Sequence, residues 1–448
     1  MSAQVALVNG RIVLPGGVVD GEALLIEDEV IRAITLAGDL PSDAERIDVA
    51  GAYIAPGLVD IHTHGALGRS FLDGDEEAFA VITEAQARRG VTSLLPTTST
   101  APLEQIKDCL ARTRKWMARS RDGAGAGGRA SRGAGRAGDS AGSSSGREVG
   151  RARSDGPGSD RGSRVGSNVI GAHVEGPYFA AAQAGAQDPA NLRTPDDGSV
   201  EQLLEYADAI RIMSFAPELP GALELARRLR SLGIVAALGH SSATDREVQA
   251  ATHAGASHAI HLWSGQSMTV RQGPWRRPGI LEASLASDTF SGEIIADGKH
   301  LPATLMKLAY RCLGSDRLCL VSDATSGAGL GDGEHFRMGE MEYMVRGGVG
   351  MMLDESGFAG STTFLSEMVP LVADTLGIPL HEAVRMASLT PATVAGVSDR
   401  KGSIEAGKDA DIALFDSGFS PLCTMIAGRW TGTPSQAPAG ERERGRAK

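Results

Sequence analysis

The chain has 448 residues, of which 42% are apolar, with a formal net charge of −11 and four cysteines. That length and apolar share allow a large core, and the acidic balance argues against a nucleic-acid partner. No apolar run approaches the length of a membrane span.

The opening MSAQVALVNGRIVLPGG lacks a cationic start followed by a long apolar core, so it reads as a strand pair and not as a signal peptide. Residues 1–55 as a whole read as short strands joined by glycine turns. Then GLVDIH is a short apolar run, followed by the helix-like DEEAFAVITEAQARRG and the strand VTSLLPT. The helix PLEQIKDCLARTRKWMA leads into a segment, about 121–166, of Gly, Arg, Ser and Ala with almost no large apolar residue. Such a segment cannot bury enough surface to offset ordering entropy and is expected to be a disordered insertion. Beyond it come the strands VIGAHVE, IRIMSFAPE, IVAALGH, SHAIHL, TFSGEIIADGKH and RLCLVSDA, with helical stretches between most of them.

Eight strands alternating with helices imply parallel strands and a closed α/β barrel over 56–394, whose chemistry would sit at the carboxyl ends of the strands. KGSIEAGKDADIALFD and TMIAGRW, within 395–432, read again as short strands and could pair with residues 1–55 into a small β-sandwich beside the barrel. The tail 433–448 is expected to fray. Cys109, Cys312, Cys319 and Cys423 have no metal-type spacing and read as reduced thiols of a cytoplasmic protein.

The strand ends carry the chemistry. The first ends at His62 and His64, the third at Glu175, the fifth at His240, the sixth near His261 and the eighth at Asp323. Side chains two apart on a strand share a face, so His62 and His64 point the same way. Alone, that pair could be ordinary polar residues at a loop edge. With the others it can hold one or two divalent metals with a position left for water. Asp323 is then a carboxylate placed to take and return a proton. His258, His253, His335 and His381 read as structural or surface residues, and His173 shares a face with Glu175. The glycine-rich ATSGAGLGDG after Asp323 reads as a mobile active-site loop.

With PGLVDIHTHG, HVEGPYF, ALGHSSAT, IADGKHLP, LVSDATSGAGL, FAGSTTFL and KGSIEAGKDADIALFD, the chain resembles the N-acetylglucosamine-6-phosphate deacetylases of the amidohydrolase superfamily. The resemblance implies a metal-bearing barrel with a β-sandwich built from both termini. It implies Glu175, His240 and His261 as ligands of a main metal, His62 and His64 as holders of a second, and Asp323 as the catalytic acid and base. Zinc or ferrous iron would fit such a shell. The implied activity is release of acetate from N-acetylglucosamine 6-phosphate in amino sugar catabolism. His300 corresponds to a histidine that contacts the substrate. Arg276, or its neighbour Arg277, corresponds to an arginine that reaches the phosphate from the second subunit of a homodimer.

Two departures fall in the substrate pocket. Gln187 stands where the family usually has a histidine. The HLWSGQSM loop offers Ser264, Gly265 or Gln266 in place of a phosphate-contacting asparagine. They motivate an alternative: an amidohydrolase acting on N-acetylgalactosamine 6-phosphate or on an unphosphorylated N-acyl sugar or amino acid.

Overall fold

A computed structural model describes residues 4–123 and 165–433. The expected disordered segments, about 121–166 and 433–448, lie outside the described residues apart from their ends.

Eight parallel strands form the barrel: β1 (Leu58–Thr63), β2 (Val91–Pro96), β3 (Ala172–Glu175), β4 (Ile210–Phe215), β5 (Val235–Leu238), β6 (Ala256–Ala259), β7 (Ser291–Ile295) and β8 (Leu318–Val321). β1 pairs with β2, and β3 to β8 follow one another in sequence order. Single bridges complete the ring, Thr97 to His173 between β2 and β3 and Thr63 to Ala324 between β8 and β1. The expected third strand is divided. Asn168–Val169 pairs with β2, the chain turns at Gly171 with φ +155°, and only Ala172–Glu175 pairs with β4. β1, β2 and β3 are buried along their whole length. Strands covered on both faces read as mainly apolar runs without strict alternation, which helps them stand out in the sequence.

Segments from the two ends of the chain share one six-stranded sheet, in which Tyr53–Pro56 lies between Arg11–Leu14 and Ile412–Phe415. A four-stranded sheet of Gln4–Val8, Glu22–Glu27, Val30–Leu36 and Glu45–Asp48 packs over it. Leu7, Leu24 and Ile26 of one sheet and Ile12, Ile54, Ile412 and Met425 of the other make a core separate from that of the barrel.

Two features at the carboxyl rim differ from the sequence reading. After Asp323 the chain does not run as a free loop. Ala324 to Ala328 are buried, and Ala324, Ser326 and Ala328 accept backbone hydrogen bonds from the segment after β1. Residues 335–361 then form a four-stranded antiparallel meander. Between β6 and β7 the chain projects a hairpin of Val270–Gln272 and Trp275–Arg277, with Trp275 75% exposed.

Candidate active site

Three rim residues lie two positions past the end of their strand, and all have left-handed backbone: His240 (φ +43°), His261 (φ +22°) and Asp323 (φ +44°). Such φ values are costly for side chains with a Cβ and persist where surrounding structure enforces them. At each of these positions the turn swings the side chain over the barrel mouth. For His240 the supporting loop must contain glycine. A Cβ on Gly265 (φ +58°) would lie 2.6 Å from His240 Nδ1 and 3.0 Å from the Gln183 carbonyl oxygen, the two atoms that hydrogen-bond at 2.8 Å.

The Nε2 atoms of four histidines converge on two carboxylates. His261 and His240 lie 2.9 and 3.1 Å from Glu175 Oε1, and His62 lies 3.7 Å from the same oxygen. His64 is 3.5 Å from Glu175 Oε2 and 3.1 Å from Asp323 Oδ1. His62–His64–Asp323, His62–Glu175–His261 and, beneath them, His62–His173–Glu293 are compact groups of donor atoms, each within 4.8 Å, with His62 common to all three. His240 touches Glu175 but stands outside these groups.

The opposite ring nitrogens are held from behind. His62 Nδ1 meets Glu293 Oε2 at 2.8 Å, His64 Nδ1 meets Ser99 Oγ at 3.3 Å, and His240 Nδ1 meets the Gln183 carbonyl. Below them His173 is spent on Ser214 Oγ and the Ile61 carbonyl, and burial pushes its pKa down to about 3, so it stays neutral. Burial likewise pushes Asp60 up to about 6, although it accepts hydrogen bonds from Ser322 and the His62 amide.

The cluster suits a cation. Burial alone would lower His62, but the carboxylates of Glu293, Glu175 and Asp323 around it raise it well above the ordinary histidine value. Burial alone would raise Glu175, yet hydrogen bonds with His240 and His261 and the nearby His62 hold it well below the usual carboxylate range. Asp323 is lowered in the same way, against its burial, by His64 and His62. His62 Nε2 is buried and has no hydrogen-bond partner. The neutral imidazole that a metal binds would leave a buried lone pair there, which is costly without a partner, and a divalent metal would satisfy it. Imidazole nitrogen and carboxylate oxygen are the donors zinc and iron take.

These groups open into a cavity of about 260 Å³ that Gln187, Ser264, Gly265, His300, Met338 and Phe358 also line. Gln187 is committed within the protein. Its Nε2 donates to Glu175 Oε2 at 2.7 Å, and its Oε1 accepts from the Thr100 amide at 2.6 Å. Gln266 points away from the cavity, with Nε2 on the Ile260 carbonyl and Oε1 accepting from the Trp263 amide. His300 Nδ1 is fixed by Asp297 Oδ2 at 2.8 Å, and its ring packs on Phe358. Arg276 and Arg277 lie on the exposed hairpin and do not line the cavity of their own chain.

The sequence reading missed Glu293, Asp297 and Ser99. The signals were present but thin. Glu293 is the one charged residue of the SGEIIA run, and Asp297 lies three residues before His300 in ADGKH.

The Amidohydrolase family profile matches residues 162–431. An N-acetylgalactosamine-6-phosphate deacetylase of Escherichia coli O157:H7 is 32% identical, over 94% of this chain and 97% of that protein. An N-acetylglucosamine-6-phosphate deacetylase of Vibrio furnissii is 31% identical, over 94% and 93%. Among solved structures, the Mycobacterium smegmatis N-acetyl-D-glucosamine-6-phosphate deacetylase in complex with N-acetyl-D-glucosamine-6-phosphate superposes with a TM-score of 0.78. It is 25% identical and covers 96% of this chain and 100% of that one.

Proposed function

The chain belongs to the amidohydrolase family, and from that premise we propose that it hydrolyses the acetamide of N-acetylglucosamine 6-phosphate to glucosamine 6-phosphate and acetate. The observation that carries this reading is the convergence of four histidine Nε2 atoms on Glu175 and Asp323 at the barrel mouth.

Glu175, His240 and His261 would hold one divalent metal, and His62 and His64 a second, zinc or ferrous iron being the ions this donor set favours. Such an ion, when bound, supplies Lewis-acid chemistry: it makes water more acidic and polarises a carbonyl. Asp323, held as a carboxylate at the mouth, accepts the proton of the attacking water at its carboxylate oxygen. It then delivers that proton to the nitrogen as the C–N bond breaks, so that the water oxygen leaves in acetate and the sugar departs as the amine. Gln187 keeps Glu175 in one rotation by holding Oε2. His300, oriented by Asp297, presents its other ring nitrogen toward the sugar phosphate, beside the backbone of Ser264 and Gly265.

Among the described residues lining the cavity there is no lysine or arginine. A phosphate dianion calls for one, since guanidinium offers two parallel charged hydrogen bonds. We assign that role to Arg276, with Arg277 beside it, reaching from the exposed hairpin of a second copy in a homodimer. A phosphorylated substrate is in keeping with a cytoplasmic setting.

The second reading, deacetylation of the galactosamine epimer, is favoured by the 32% identical relative of that name. The test is acetate release by the metal-analysed protein from both 6-phosphates, from unphosphorylated N-acetylglucosamine and from N-acetyl amino acids, with Asp323→Asn as control. Turnover of a phosphorylated sugar that falls by about 10²-fold or more in the control supports the reading and names the epimer. Turnover of an unphosphorylated substrate alone would refute the phosphate assignment.

A further inference from the structure

Glu293 is fully buried on β7, beneath the cluster, and none of the roles above uses it. Its carboxylate meets three donors. Oε2 faces His62 Nδ1 at 2.8 Å and the His261 backbone amide at 3.2 Å, and Oε1 faces His258 Nε2 at 3.0 Å. His258 is braced in turn by Ser291 Oγ at 2.7 Å.

We infer that Glu293 is a positioning residue for the metal centre, which fixes His62 with its proton on Nδ1 and its Nε2 lone pair in the mouth. The geometry leaves one arrangement. A carboxylate oxygen only accepts, so the ring nitrogen against it carries the hydrogen. In the neutral imidazole that a metal binds, the other nitrogen is then bare, and it is a buried atom with no hydrogen-bond partner. The same oxygen holds the His261 amide, at the residue whose backbone is left-handed. One side chain thus sets the ring of one donor and the backbone of another. His62 belongs to all three compact donor groups of the site, one of them made with His173 and Glu293 itself, so misorienting it disturbs the whole centre. Carboxylates behind ligating imidazoles act in this way in metal sites generally, and their loss weakens metal binding by roughly 10- to 100-fold.

The inference rests on the metal-centre reading, and the experiment separates the two. Apo-protein is titrated with zinc against a chromophoric chelator, and the absorption spectrum of the cobalt-substituted form is recorded. Glu293→Gln, His62→Ala and Ser291→Ala are compared with the parent. Glu293→Gln is expected to weaken zinc binding by roughly 10- to 100-fold and to alter the cobalt spectrum. Ser291→Ala, which loosens only the His258 end, is expected to keep both. Parental affinity and spectrum in Glu293→Gln, alongside weakened binding in His62→Ala, would overturn the inference and leave the metal centre standing. A parent that takes up no zinc would overturn both. If Glu293→Gln does not fold, long-range ¹H–¹⁵N spectra of the zinc-loaded parent decide: a proton on His62 Nδ1 supports the inference, and a proton on Nε2 refutes it.

Discussion

Gln187 stands where the family resemblance implies an imidazole, and its amide is committed within the protein. A neutral amide can donate to a carboxylate and accept from a backbone amide at once, and Gln187 does both, tying Glu175 Oε2 to the Thr100 amide. It is thereby bound to the carboxylate first and faces the substrate only with what remains of its amide group. Gln187→Ala would free Glu175 to rotate and strip the buried Thr100 amide of its acceptor. A hydrogen bond to a charged group contributes about 1.5–3 kcal/mol, so kcat should drop roughly 10- to 100-fold by the same measure, with KM within a few-fold. A rise confined to KM in steady-state kinetics would mark Gln187 as a substrate contact instead. Asp297 is a different case. Burial alone would raise its carboxyl, but the hydrogen bond and charge of His300 and two backbone amides keep it below the usual range. Asp297→Ala leaves the His300 ring unaimed, so here the KM for the phosphorylated sugar should rise, by about tenfold for a lost interaction near 1.4 kcal/mol, while metal content measured by elemental analysis stays at the parental value.

Most of the strands were legible because burial on both faces writes largely apolar runs, and five of the eight ended on one of the candidate histidines or acids. The eight runs and the rim residues His62, His64, Glu175, His240, His261 and Asp323 could be read together for that reason. The meander of 335–361 could not be. Its strands are four to six residues long, joined by turns such as Gly347–Gly348, and half exposed, so neither length nor periodicity separates them from a loop. Glu293 was hidden for another reason: its partner His62 is 231 residues away in the chain, and only closure of the barrel brings them together. The meander is also tied to the rim beside Asp323. Ser361 donates its amide to the Asp323 carbonyl at 2.8 Å, and Thr325 donates to the Ser361 carbonyl at 3.0 Å. Between them Gly360 has φ +62°, and a Cβ there would stand 2.5 Å from Thr325 Cγ2 and 2.9 Å from the Asp323 carbonyl oxygen. Gly360→Ala should therefore push the meander off Asp323. Because displacement of about 1 Å at a reacting group can cost 10²-fold, kcat is expected to fall by one to two orders of magnitude while zinc stoichiometry holds. Unchanged kcat would mean that Asp323 is set by β8 alone.

At the scale of the whole molecule, the barrel is entered from a sheet that both ends of the chain build, so the sandwich anchors β1 and with it the first two histidines. The joint is specific: the Gly57 amide, one residue before β1, donates to the Asp411 carbonyl at 2.8 Å. The Asp411 side chain meets Lys401 Nζ at 2.6 Å, and Asp409 meets the same nitrogen at 3.0 Å. Lys401 is buried, which alone would lower its pKa, but the charges of Asp411 and Asp409 reverse that and raise it above the ordinary lysine value. A base raised in the folded state stabilises fully below its unfolded pKa, near 10.4, and the contribution fades as pH climbs through the folded value. Lys401→Met should accordingly cost about 3 kcal/mol or more, the scale for stranding one partner of a buried pair, at every pH from about 6 to 9. From about pH 10.4 the gap between parent and variant should begin to narrow, because the unfolded chain gives up that proton first, and it should close only once pH passes the raised folded value. Thermal or denaturant melts across that range check the sign. A gap that widens with alkali, or one present only below pH 5, would show that Lys401 is not the charge holding this joint.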